Sequence, residues 1–249
     1  MLAAIAREAK VIFVDIKYGD DMIGFTFTDP DIWTWIDNNQ ASKDIDIVSC
    51  SWYLKDDYTT GTSLHQTWNS LINKGVILLT CSGNYGTYNN TLGSNSFPFN
   101  SYYSEWYSVG SIDHETRWDG SVKGQKTDFS SWFEANTTGN HIVNWLEPGH
   151  GVPVLKEPYL DRDLQIARGT WVYGAGTSFS VPYLAAIIAL VITEYHNGIG
   201  NSTDPSVDKV VEILQYASSR STFHQKVGYG YVDTYLAFGK AYTEGCLAA

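Results

Sequence analysis

Residues 176–182, Gly-Thr-Ser-Phe-Ser-Val-Pro, open the longest apolar stretch of the chain. Aliphatic residues follow at helical spacing: Leu184, Ile187, Ile188, Leu190, Val191 and Ile192. This periodicity predicts a buried helix whose first turn carries Ser178. The N–H groups and the positive dipole end of a first turn favour the negative charge that develops when a hydroxyl attacks a carbonyl. Ser178 is therefore a candidate nucleophile, and a simple helix cap is the alternative.

A second polar side chain follows a predicted buried strand. Residues 75–84 read Gly-Val-Ile-Leu-Leu-Thr-Cys-Ser-Gly-Asn, so the apolar run stops at Gly83 and the amide of Asn84 comes next. That amide can donate a hydrogen bond. An ordinary turn is the alternative interpretation, since glycine and asparagine both tolerate positive φ.

These two motifs, in this order, resemble those of the subtilisin-like serine peptidases, the subtilases. Further segments are similar to family blocks in the same order: a strand that flanks the substrate, a Val-Gly-small-apolar-Asp strand, a Phe-Ser-Ser segment, a Pro-Gly turn and a closing Gly-x-Gly-x-apolar-Asp. They occupy residues 44–51, 107–113, 128–132, 148–152 and 228–233. The resemblance runs through almost all of the chain and implies an endopeptidase that hydrolyses peptide bonds.

The resemblance also implies roles for individual residues. Ser178 would be the nucleophile, and the amide of Asn84 together with the backbone N–H of Ser178 would form the oxyanion hole. The substrate-binding strand, usually Ser-Leu-Gly, reads Ser51-Trp52-Tyr53 here, and Gly83 belongs to the same substrate-binding set. Two interpretations of the rings stay open: Tyr53 crowds the groove or forms a wall for a large apolar side chain, or both rings cover the sheet edge.

The catalytic base is the part of the family pattern that this sequence lacks. In the family, an Asp-oriented His takes the proton of the serine, in the chain order Asp, His, Ser. No histidine lies in a run like the family's His-Gly-(Thr)-His at the start of a helix. His150, between two glycines, comes too late in the order and is expected in an exposed turn. Asp15 ends an apolar segment, but Ile-Lys follows it instead of Ser/Thr-Gly. The favoured alignment places the Asp and His motifs before residue 1.

Three explanations of this pattern stay open. The natural protein is longer, and its upstream segment supplies Asp and His; or the chain is a pseudoprotease that acts as an extracellular binding or structural module; or an unusual base has replaced the histidine. We rank them in that order. The expected partners are a polypeptide substrate and either the protein's own N-terminal segment or a companion chain.

Composition narrows the partners and the location. Only 17% of residues are charged and the net charge is −11, which argues against a nucleic-acid partner. Asn-x-Ser/Thr triplets at Asn89, Asn136 and Asn201 favour an extracellular or cell-surface protein. The longest apolar run, about 11 residues, is shorter than the roughly 20 that a membrane span needs.

Cysteine and carboxylate patterns predict no cofactor. The resemblance places the strands of Cys50 and Cys81 side by side, so a disulfide is possible, but two buried thiols are favoured. Cys246 would then be free as well. Subtilases often bind calcium, and the pairs at 20–21 and 56–57 offer carboxylates, yet such pairs are mostly solvated loop residues. No metal site is assigned.

The periodicity predicts one α/β domain over residues 1–249, N-terminally incomplete relative to the family. Predicted strands at 10–15, 45–50, 76–82 and 107–112 alternate with helices near 31–39 and 63–74. This order is typical of a three-layer fold, a mostly parallel sheet with helices on both faces. A later helix is predicted to begin with Asp204 as cap and Pro205 at its first position. Asn84 would lie at the carboxyl end of its strand, where such sheets carry their active residues.

Overall fold

The computed structural model describes residues 5–14, 30–51, 63–84, 86–88, 106–113, 126–128, 130, 132–133, 143–155, 159–161, 166–168, 171–224 and 226–249. The helices are α1 (Pro30–Lys43), α2 (Ser63–Asn73), α3 (Thr177–Ile199), α4 (Val207–Tyr216) and α5 (Thr234–Ala248). The strands are β1 (Ile47–Cys50), β2 (Ile77–Cys81), β3 (Thr87–Tyr88), β4 (Trp106–Asp113), β5 (Trp132–Phe133), β6 (Trp145–Leu155), β7 (Tyr159–Asp161), β8 (Ile166–Arg168) and β9 (Trp171–Ala175).

One mostly parallel sheet forms the centre of the fold. Its strand order is β1-β2-β4-β6-β9, with parallel pairing up to β6 and an antiparallel β9. All five residues of β2 are buried, as expected for an interior strand with helices on both faces. Leu78 packs with α1 and α2, whereas Ile77 and Leu79 pack with α3, α4 and α5. The predicted three-layer α/β fold is therefore confirmed.

The face that carries α1 and α2 is built around three indole rings. Trp33 of α1, Trp68 of α2 and Trp106 of β4 meet edge to face, with ring centroids 5.4–5.6 Å apart. All three are buried, at 1–3% exposure. Edge-to-face contacts match the positive edge of one ring with the negative face of the next, so the trio fixes both helices against the sheet.

The opposite face is organised around α3. Eleven residues of this helix are buried, and it crosses the sheet directly after β9. By length and composition α3 could span a bilayer, and it is the one helix of the described residues that passes this test. Its aliphatic side chains instead pack inside the fold against α5 and the sheet, so it is a core helix.

Two glycines let α3 and α5 approach closely. A methyl group on Gly245 of α5 would come within 2.2 Å of the carbonyl oxygen of Tyr195, and one on Gly198 of α3 would come within 2.2 Å of the carbonyl oxygen of Tyr242. Both obstacles are backbone atoms, which cannot rotate away. The helices therefore touch through their main chains at this level.

We expect Gly245→Ala to lower the free energy of unfolding by about 1–3 kcal/mol, because the helices must separate to admit the methyl group. Gly239→Ala in the same helix is the matched control: nothing lies within 4 Å of its added carbon. It should raise stability by up to about 1 kcal/mol, since glycine is a poor helix former. Urea unfolding of both variants checks this. Equal effects of the same sign would contradict the close-packing account.

One strand predicted from the sequence, at 10–15, is wrong over its described residues. Residues 10–14 form no strand, and the side chains of Val11, Ile12, Phe13 and Val14 are 41–88% exposed. Apolar content alone cannot create a strand, because a strand needs a neighbour for its backbone hydrogen bonds. Asp15 lies outside the described residues.

Helix α4 begins two residues later than predicted. Its N-cap is Ser206, whose hydroxyl accepts a hydrogen bond from the N–H of Lys209. The expected cap, Asp204, instead contacts Nε2 of His196 at 2.8 Å. Two residue types suited to capping stand close together here, and the tertiary contact of Asp204 leaves the cap to Ser206.

Candidate active site

Ser178 lies in the first turn of α3, immediately after β9. The N-cap of the helix is Gly176, with φ of 150° and no side-chain capping bond. Ser178 is thus the second helical residue and not the cap, which removes the alternative that the sequence left open. The half-buried side chain lies where the N–H groups of the first turn point outward.

The side chain of Asn84 is fixed beside this helix start. Its Oδ1 accepts hydrogen bonds from the N–H of Thr177 at 2.8 Å and from Oγ1 of Thr177 at 3.0 Å. Since the amide oxygen is bound to the helix, the Nδ2 donor points to the other side. Asn84 follows β2 at the carboxyl edge of the sheet, as predicted.

The hydroxyl of Ser178 and the amide of Asn84 converge on one point. A carbon placed at the Cβ position of Gly176 would be 3.1 Å from Oγ of Ser178 and 3.2 Å from Nδ2 of Asn84. The missing side chain of Gly176 therefore leaves open a space that both groups border. A nucleophilic oxygen and a hydrogen-bond donor on either side of such a space suit attack on a carbonyl group.

The other predicted site residues fall into two groups. Oγ of Ser51, just after β1, donates to the carbonyl oxygen of Ser178 at 2.8 Å. The N–H of Gly83 donates to Oγ1 of Thr177 at 3.2 Å. The structure thus brings Ser51, Gly83, Asn84 and Ser178 together, while Trp52 and Tyr53 lie outside the described residues.

One histidine–aspartate pair was not predicted from the sequence. His150 does not lie in an exposed turn as expected: it belongs to β6, and its Nδ1 is 2.6 Å from Oδ1 of Asp113 at the end of β4. The side chain of Asp113 is 8% exposed and that of His150 is 25% exposed. A register shift of β6 against β4 at this place pairs Asp113 with His150. The Pro-Gly turn signal concealed this bulge in the sequence.

A buried glutamate lies beneath α3. Glu147 of β6 is 2% exposed, and its carbonyl oxygen accepts from Oγ of Ser180 at 2.9 Å. Burial raises the pKa of its carboxyl to about 8, although a hydrogen bond from the N–H of Val232 opposes this shift. Burial of the Tyr183 side chain on α3, followed by the charge of Glu147, raises the pKa of that tyrosine.

Burial disfavours ionisation of the two thiols near the site. Cys50 and Cys81 are both buried and free, so the favoured prediction of two thiols is confirmed. Burial raises the pKa of Cys50, with a further contribution from Cys81. Burial also raises the pKa of Cys81 to about 11, against opposing hydrogen bonds. Both groups therefore stay protonated near neutral pH and are poor nucleophiles. Cys246 is free and exposed.

Three aspartates form a cluster that was not predicted from the sequence. Oxygens of Asp44, Asp46 and Asp204 lie within 4.8 Å of one another. Burial, followed by the charges of Asp204 and Asp44, raises the pKa of Asp46 to about 6. Exposed acidic clusters are common without a metal, and we assign none. The acidic pairs at 20–21 and 56–57 lie outside the described residues.

Comparison with known proteins identifies the family of this chain. A family model described as the subtilase family matches residues 2–230. No curated protein matches the chain. The prenylagaramide maturation protease PagA superimposes with a TM-score of 0.62 at 18% identity, covering 90% of this chain and 71% of its own.

Two further solved structures are similar to this chain. A mutant of the protease domain of PatA gives a TM-score of 0.63 at 19% identity, over 89% of this chain and 68% of that one. A lanthipeptide protease gives 0.61 at 20% identity, over 85% and 66%. At such identities these likenesses show a shared fold.

Proposed function

Because the chain belongs to the subtilase family, we propose that it is a serine endopeptidase domain in which Ser178 is the nucleophile and Asn84 an oxyanion donor. A peptidase of this family acts on polypeptides, so the substrate is a polypeptide. The observation that carries the proposal is the convergence of Oγ of Ser178 and Nδ2 of Asn84 on the space beside Gly176.

The geometry supports a two-step acyl transfer. Oγ of Ser178 attacks the scissile carbonyl carbon and gives its proton to a base, while the carbonyl oxygen becomes an oxyanion. Nδ2 of Asn84 and the backbone N–H of Ser178 stabilise that charge. The protonated base then gives its proton to the leaving amine. In the second step the base takes a proton from water, the water attacks the acyl group, and the base returns the proton to Oγ of Ser178. Asn84 needs no rearrangement for this role, because Thr177 already holds its amide oxygen.

We propose that the base is a histidine, oriented by an aspartate, on a segment upstream of this chain or on a companion chain. Apart from His150, whose pair with Asp113 is the competing candidate, the described histidines are poorly placed. His65 belongs to α2, on the opposite face of the sheet from α3. His196 lies 18 residues further along α3 than Ser178, which corresponds to about 27 Å. His224 pairs with Gly228, in a segment that contacts Asn144 just before β6 begins. It therefore lies near the amino end of β6, away from the carboxyl edge that carries Asn84.

The substrate groove and the location are also proposed from family resemblance and composition. Ser51, Trp52, Tyr53 and Gly83 form the proposed substrate-binding segments, with a preference for large apolar side chains. We propose an extracellular or cell-surface location. Asn201 is exposed and is a candidate glycosylation site; Asn89 and Asn136 lie outside the described residues.

Labelling with a fluorophosphonate tests the proposed function. The probe should modify Ser178, identified by peptide mass spectrometry, when the chain is combined with the upstream segment of its reading frame. Ser178→Ala is the matched control and should not be labelled. The chain alone should react far more slowly, because its serine lacks a base.

Each outcome has a distinct meaning. Labelling at Ser178 that depends on the upstream segment supports Ser178 as the nucleophile and an upstream base. Fast labelling of the chain alone, lost in His150→Ala, would move the base to the His150–Asp113 pair and overturn the upstream assignment. No labelling in any combination would overturn the peptidase and favour the pseudoprotease.

A further inference from the structure

The carbonyl group of Ser178 cannot make its normal helical hydrogen bond. In an α-helix this oxygen accepts from the N–H four residues later, and that residue is Pro182, which has no N–H. The proline ring also pushes the carbonyl of the residue four positions earlier away from the helix axis. The helix thus has a defect at the residue that bears the proposed nucleophile.

Ser51 supplies the missing hydrogen-bond donor from another part of the chain. Its Oγ donates to the carbonyl oxygen of Ser178 at 2.8 Å, across 127 residues of sequence. Ser51 directly follows Cys50, the last residue of β1, so the bond ties the carboxyl end of that strand to the first turn of α3. The single hydroxyl proton of Ser51 is used in this bond, so this hydroxyl has no second hydrogen to donate to a bound peptide.

We infer that Ser51 is a positioning residue, which holds the peptide unit of Ser178 in the orientation that attack requires. This inference rests on the proposed function. The Ser178 residue supplies both the attacking oxygen and one oxyanion N–H, so a tilt of its main chain displaces both. Displacements of about 1 Å at reacting groups can cost about 10²-fold in rate.

Pro182 makes the inference testable, because alanine at that position restores the missing N–H. Four proteins form a cycle: wild type, Ser51→Ala, Pro182→Ala and the double variant. The measurement is the rate of Ser178 modification by diisopropyl fluorophosphate, with each protein combined with the upstream segment of its reading frame. This small probe carries no peptide, so a loss of substrate contacts does not slow it.

We expect Ser51→Ala to slow labelling by roughly three- to tenfold, the size of one lost hydrogen bond. Ser51→Thr keeps the hydroxyl and should label at close to the wild-type rate. In the Pro182→Ala background, removal of the Ser51 hydroxyl should change the rate by less than about twofold, because the restored backbone N–H now holds the carbonyl. Ser51→Ala keeps the backbone of the proposed substrate-binding segment, so on a peptide substrate the loss should appear in kcat and not in KM.

A distant variant controls for removal of a hydroxyl as such. Oγ of Ser42 donates to the carbonyl oxygen of Asn39 at 3.2 Å on the exposed side of α1. Ser42→Ala removes a bond of the same kind and should leave the labelling rate unchanged.

Equal rates for wild type and Ser51→Ala would overturn the inference while the proposed function stands. An equal loss with and without the Pro182→Ala substitution would also overturn it, since the hydroxyl would then act on something other than this carbonyl. Failure of wild type to label at all would overturn the proposed function and the positioning role together.

Discussion

Asn84→Asp should lower kcat by about 10²–10³-fold, the range known for removal of one such donor in subtilisin, with little change in KM. The substitution keeps an oxygen that can accept from the N–H and Oγ1 of Thr177, so the start of α3 keeps its anchor. It replaces the Nδ2 donor with a second oxygen, which repels the oxyanion. Activity should therefore fall while the fold persists.

Asn84→Ala is the companion variant. It removes the donor and also the acceptor for Thr177, so it should lose both activity and some stability. Kinetics on a peptide that wild type cleaves, together with urea unfolding, separates the two effects. If Asn84→Asp retained kcat within about threefold of wild type, Asn84 would not belong to an oxyanion hole.

Glu147→Gln should remove most of a pH-dependent loss of stability. The pKa of Glu147 is about 8 in the folded protein, against 4.5 for the ordinary side chain. The folded state therefore holds the proton more tightly than the unfolded state does. Stability should be highest below about pH 4.5 as far as this group is concerned, fall as the pH rises, and level off above about pH 8.

The expected loss is on the order of 3–5 kcal/mol by pH 9, at about 1.4 kcal/mol per unit of pKa difference. Glutamine keeps the oxygen that accepts from the N–H of Val232 and carries no charge. Urea unfolding at pH 5 and pH 9 should show similar stability for both proteins at pH 5 and a more stable variant at pH 9.

Glu212→Gln is the control for this experiment. Glu212 lies on the exposed side of α4, in an ion pair with Lys209 at 2.7 Å. Removal of an exposed pair should change stability by under about 1 kcal/mol at either pH. The same pH response in wild type and Glu147→Gln would show that the buried carboxyl does not control it.

The sequence predicted those parts of the fold and site whose signals are local. β2 and α3 are continuous apolar runs, and α2 has clear helical periodicity. The pattern of apolar residues alone was therefore enough to predict where these elements lie. Ser178 and Asn84 each stand at the boundary of such an element, which is why their places could be expected. The mostly parallel sheet followed from the alternation of strands and helices.

The features that were missed depend on contacts between distant residues. Residues 10–14 looked like a strand because no local signal shows whether a neighbouring strand is present to pair with them. The His150–Asp113 pair arises from a register shift between β4 and β6. Pro182 indicates an unbonded carbonyl at Ser178, but nothing local identifies Ser51 as the donor.

The structure of the phosphonylated protein tests the central claim most directly. A fluorophosphonate adduct on Ser178 places a phosphoryl oxygen where the oxyanion of the reaction would form. We predict that this oxygen lies within hydrogen-bond distance, about 3 Å, of both Nδ2 of Asn84 and the backbone N of Ser178. A phosphoryl oxygen that faces away from Asn84, with the amide still bound to Thr177, would contradict the account.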